Sequence, residues 1–119
     1  MIEARFSGCK VLLVEDEYFI AEDMVRMFES SGAHVVGPVA SVEAALDLID
    51  ETDVLDGVVL DVNLQGEMAY PVAEALMSRG VPFVFATGYD KVSVPERYAH
   101  VTRCEKPVDP DKILRALFD

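Results

Sequence analysis

A chain of 119 residues with 51% hydrophobic content is expected to form one domain around a single core, and 22 acidic against 10 basic residues give it a formal charge of −12. That balance repels nucleic-acid phosphates and anionic membrane surfaces, so neither is an expected partner. No apolar stretch approaches the roughly 20 residues that span a bilayer, and Cys9 and Cys104 are too few for a disulfide framework or a zinc cluster.

The first ten residues, MIEARFSGCK, carry acid early and lack the apolar core of a signal peptide, so a cytoplasmic location with reduced thiols is expected. Lys10–Val14 (KVLLV) is an apolar run and the first strand, broken by Glu15-Asp16-Glu17. The next segment places Ile20, Met24, Met27 and Phe28 on one helical face and stops at Ser31-Gly32. His34–Ala40 is β-branched but holds Gly37 and Pro38, which suits an edge strand. Ser41 caps a helix in which Val42, Ala45, Leu46 and Ile49 recur at i, i+3, i+4 and i+7. Gly57–Asn63 (GVVLDVN) reads as a strand buried on both faces, although periodicity alone also fits a buried helical turn.

A Gly-containing turn at Leu64–Met68 leads into a helix with Pro71 near its first position, ending at Arg79-Gly80. Val81–Thr87 (VPFVFAT) is the fourth strand and Val101–Cys104 a short fifth. Between them, the 13 residues Gly88 to His100 must hold two connections and a helix. Ser93-x-x-Glu96 fits a capping box there, with room for little more than one turn. Asp109-Pro110 opens the last helix, with Ile113, Leu114, Leu117 and Phe118 inward.

Five strands alternating with helices predict right-handed crossovers and a doubly wound, flavodoxin-like α/β fold: a parallel sheet in the order 2-1-3-4-5 with helices on both faces. Ligands of such sheets bind beyond the carboxyl ends of the strands. Glu15 and Asp16, Asp61, Thr87 and Lys106 all fall there. Each has a plainer role available: a helix-start cap, a strand-end acid, a turn hydroxyl, a surface lysine. Their convergence on one rim favours a shared site. Clustered carboxylates repel unless a cation neutralises them, and all-oxygen ligation with few protein ligands suits Mg²⁺ beside a phosphoryl group. An Asp flanked by metal is a nucleophile for phosphorus.

The motifs VLLVEDE, VVLDVN, FATG and EKP, in this order on these strand ends, resemble the response-regulator receiver domain over essentially the whole chain. The resemblance implies Asp61 as phosphoacceptor, with Asp16, Asp61 and the Asn63 backbone carbonyl on Mg²⁺ and Glu15 holding a metal-bound water. It also implies Thr87 and Lys106 on the phosphoryl group and a cis peptide at Lys106-Pro107. PFVFATGY, with VLDVNL and YPVAEAL, further resembles the FATGUY subclass, mostly single-domain receivers. That points to a histidine kinase of HWE or related type as phosphoryl donor, to an unknown downstream protein, and to a receiver spanning 1–119 without an output domain.

Two features depart from the family. Arg103 stands where receivers often carry an aromatic switch residue, leaving Thr87, Tyr89 and Arg103, with Phe85, as switch candidates. The short stretch between strands four and five predicts a short or irregular fourth helix whose shape responds to phosphorylation. Two other readings share parts of the set. A phosphohydrolase resembling the haloacid dehalogenase family wants an Asp where Asn63 stands. A pseudo-receiver keeps the fold without phosphorylation.

Overall fold

The computed structural model describes residues 7–88 and 94–118. Its central sheet has the order β2-β1-β3-β6-β7, all parallel: β1 (Lys10–Val14), β2 (His34–Val39), β3 (Gly57–Asp61), β6 (Phe83–Thr87) and β7 (Arg103–Glu105). A separate two-stranded hairpin, β4 (Asn63–Leu64) and β5 (Glu67–Met68), follows β3 directly. Among the described residues the helices are α1 (Tyr18–Ser30), α2 (Val42–Glu51), α3 (Tyr70–Arg79) and α4 (Pro110–Phe118), with a 3-10 turn at Glu96–Tyr98.

Both faces of the sheet are covered, which is why β1 and β3 read as unbroken apolar runs. On one face Leu12, Val14, Val58, Leu60 and Phe85 meet Val42, Ala45 and Ile49 of α2 and Val72, Ala73 and Leu76 of α3. On the other, Val11, Leu13, Val59 and Val84 meet Met24 and Phe28 of α1 and Ile113, Leu114 and Leu117 of α4. Alternation along each strand therefore splits one run between two cores. Gly57 permits the close docking of α4: a Cβ there would stand 2.9 Å from Leu117 Cδ1.

The caps follow the sequence. Ser41 Oγ accepts from the Ala44 N–H, Pro71 sits in the first turn of α3, and Gly80 closes that helix in the left-handed region at φ 69°. The edge strand β2 carries a register shift opposite Leu12–Val14 and a cis Gly37–Pro38 bond.

Four strands differ in their bounds from the sequence reading, the second by ending at Val39 and not Ala40. The third strand stops at Asp61, because Asn63 and Leu64 leave the sheet to pair with Met68 and Glu67. The fourth begins at Phe83, since Val81 N–H is spent on Leu76 O in closing α3. The fifth is Arg103–Glu105, because Val101 N–H bonds back to Tyr98 O and closes the 3-10 turn. That turn matches the expected short fourth helix; the switch candidate Tyr89, and Ser93 of the capping box, lie outside the described residues.

Candidate functional site

The chain runs from β1 through α1 to β2, then back across β1 to β3, so the direction of winding reverses between β1 and β3. The reversal leaves a crevice at the carboxyl ends of those two strands. The register pairs Val14 with Leu60 and Asp61 with Ala86, which sets Glu15 beside Asp61 in a staggered row across the sheet top, with Thr87 one residue beyond the partner of Asp61. Cis Lys106–Pro107 follows β7, and the Lys106 N–H donates to Thr87 O at 2.8 Å. The Lys106 side chain is thereby carried over the row.

Its ammonium bridges two carboxylates: it donates to Asp61 Oδ2 at 2.9 Å and forms an ion pair with Glu15 Oε1. Both acids are otherwise sheltered, Glu15 at 2% and Asp61 at 7% exposure. Glu15 Oε2 accepts from Glu17 N–H at 3.0 Å, and Asp61 Oδ1 accepts from Asn63 N–H at 3.2 Å. Burial pushes the Glu15 carboxyl up to about 7; the Lys106 ammonium and the Glu17 amide oppose that rise, and the Asp61 charge adds to it. Lys106 is likewise raised. Burial disfavours its charge, but hydrogen bonds to Glu15 and Asp61 more than offset that cost.

Glu15, Asp16 and Asp61 each bring a carboxylate oxygen within 4.8 Å of the others. Of these three acids Lys106 answers two, Glu15 and Asp61, and Asp16 is not hydrogen-bonded to it. A hard-oxygen cluster only partly neutralised fits a small divalent cation that keeps part of its hydration. The cleft has a volume of 370 Å³ and is walled by Asp16, Asp61, Asn63, Gln65, Thr87 and Lys106 among others. It admits a phosphoryl group. A more apolar cavity of 560 Å³ adjoins it beyond Lys106, between α1 and Pro107-Val108.

The family model of the response regulator receiver domain matches residues 11–118. The chain belongs to the receiver family. Among solved structures, it is 40% identical to SdrG from Sphingomonas melonis Fr1 over 94% of this chain and 98% of that one, at a TM-score of 0.82. The BeF3-activated conformation of SdrG, from Pseudomonas melonis Fr1, is 38% identical over 95% and 98%, at 0.80. PhyR, a response regulator from Brucella abortus, is 28% identical over 92% of this receiver and 46% of its own chain, at 0.70. No curated protein sequence matches this one.

The receiver fold thus brings together Glu15, Asp16, Asp61, Asn63, Thr87 and Lys106, every sequence-predicted member of the rim. Arg103 stands apart, exposed on β7, with its charge felt by the Tyr70 hydroxyl. Two features escaped sequence reasoning. One is the strand pairing of the β4–β5 hairpin, which sets Gln65 and Gly66 on the cleft wall; the sequence showed it only as a Gly-containing turn at Leu64–Met68. The other is an aromatic stack. Tyr98 is 1% exposed and lies parallel to Tyr70 at 5.1 Å, and both rings meet Phe85 edge-on.

Proposed function

We propose that this receiver takes a phosphoryl group from a histidine kinase onto Asp61 and answers with a shape change around β6 and β7. The observation that carries the reading is Asp61 itself: a sheltered carboxylate at the floor of an open cleft, touched by Lys106 and ringed by further acids. In the transfer, an Asp61 oxygen bonds to phosphorus as the donor's N–P bond breaks, its electron pair staying with the imidazole. Lys106 then bonds the phosphoryl oxygens, and the Thr87 hydroxyl bonds one of them. Asp16, Asp61 and the Asn63 carbonyl would hold Mg²⁺, with Glu15 acting through a bound water. The metal supplies charge neutralisation when bound.

Asn63 supports this reading over a phosphohydrolase, because its amide oxygen accepts from Gly66 N–H at 2.7 Å and shapes a turn. FATG at 85–88 and the likeness to SdrG support membership of the FATGUY subclass, a donor of HWE or related type and a cytoplasmic location. The BeF3-activated relative supports a phosphorylation-linked conformation here. Thr87, Tyr89 and Arg103 remain the switch candidates. Intact mass after acetyl phosphate plus Mg²⁺ tests the core of the proposal. One added phosphoryl group is expected, absent in Asp61→Asn; labelling at another residue would overturn it.

A further inference from the structure

Gln65 has φ 54°, and among the described residues it is the one non-glycine in the left-handed region. Gly66 follows at φ 91°, so the two form the double positive-φ loop of a tight hairpin. Asn, Asp or Gly fits the first place of such a loop with less strain than Gln does. An unfavourable residue in a functional cleft calls for a functional account. Gln65 walls the cleft of Asp61, Thr87 and Lys106, is exposed, and its amide bonds to no described residue.

The direction of chemistry selects what that amide does. Asp61 lies at the cleft floor, so a phosphoryl group on it projects outward, and water attacking in line must come from the rim. Among the described rim residues, Asp16 belongs to the cation cluster and Glu17 carries the same sign as the phosphoryl group. The Asn63 amide oxygen is engaged by Gly66. A neutral amide that both donates and accepts is what orients such a water without repelling it.

We infer that Gln65 is a water-positioning residue that shortens the lifetime of the phosphorylated receiver. The inference rests on Asp61 being the phosphoacceptor. In the step, water oxygen bonds to phosphorus while the Asp61 O–P bond breaks and Asp61 leaves as a carboxylate. Both water protons stay on the product as dihydrogen phosphate, and the amide only holds the water.

The test phosphorylates the full chain with acetyl phosphate and Mg²⁺, removes the donor and follows loss of the phosphoryl mass. Gln65→Leu and Gln65→Gly should lengthen the half-life roughly tenfold. Gln65→Asn keeps an amide in a backbone it suits better, and should stay nearer wild type than Gln65→Gly. Thermal melts of the variants separate folding from chemistry, since Gln65→Gly relieves the strain and should melt no lower. A half-life in Gln65→Leu that is unchanged or shorter overturns the inference, as does equal slowing in the Asn and Gly variants. A wild type that never takes the label overturns the phosphoacceptor reading instead.

Discussion

Lys106 is the side chain on which the site depends most in the absence of metal. Its ammonium is the cation that answers both Glu15 and Asp61, and all three side chains are largely withdrawn from water, at 14%, 1% and 10% exposure. Removing one partner of such a group leaves the others desolvated and unpaired, which costs more than the bond itself contributed. Lys106→Met should therefore lower unfolding free energy without Mg²⁺ by about 1.5–3 kcal/mol. Adding Glu15→Gln should recover part of that loss, since it removes a charge left behind. Urea denaturation of the three proteins checks this, and a Lys106→Met variant as stable as wild type would sink it. Asp61 and Asp16 were legible in the sequence because an apolar run ending in acid leaves the acid at a strand end. Lys106 was legible through EKP. Gln65 was not, because its backbone goes against its own propensity, and local rules describe the common case.

At the level of elements, the capped ones were legible and the improvised ones were not. Ser41, Pro71 and Gly80 announce helix ends by donors, rings and φ values that few other residues supply. The segment between β6 and β7 carries one such mark, the capping box Ser93-x-x-Glu96, in too few residues for a full helix. In the structure its buried anchor is Tyr98. Tyr98 OH donates to Glu74 of α3 and accepts from Arg97 Nη2 at 2.6 Å, while its face lies on Tyr70. Phe85, two residues before Thr87, meets the same ring edge-on. Thr87 and the 3-10 turn thus share a packed path through Phe85 and Tyr98, in a receiver with Arg103 where an aromatic switch would stand. Tyr98→Leu should break that path at a cost of about 1–3 kcal/mol. Beryllofluoride plus Mg²⁺ should alter amide exchange over residues 94–102 in the wild type, and that response should fade in Tyr98→Leu. An equal response in both proteins would show that the coupling runs elsewhere.

Across the whole molecule, alternation of apolar runs and helical faces carried the strand order, because right-handed crossovers leave few ways to stack five parallel strands. The cis Gly37–Pro38 bond inside β2 and the β4–β5 hairpin were invisible at that level, being local backbone features. The same winding gathers Glu15, Asp16 and Asp61 within 4.8 Å in a chain already carrying −12, so like charge is concentrated at one rim of an acidic protein. Lys106 offsets part of that repulsion, by pairing with Glu15 and Asp61. Asp16 keeps its share. A divalent cation that binds the folded cluster and not the unfolded chain stabilises by mass action, by about 2.7 kcal/mol at a hundred times its dissociation constant. For a domain of this size each kcal/mol moves the melting midpoint by about 4 °C. Millimolar Mg²⁺ should therefore raise the midpoint clearly. Asp16→Asn should melt higher than wild type without metal, because one repelling charge is gone, and should lose most of the Mg²⁺ shift. The two effects have opposite signs in a single variant, so a general salt effect cannot imitate them. Identical melts of the wild type with and without Mg²⁺ would place the metal elsewhere.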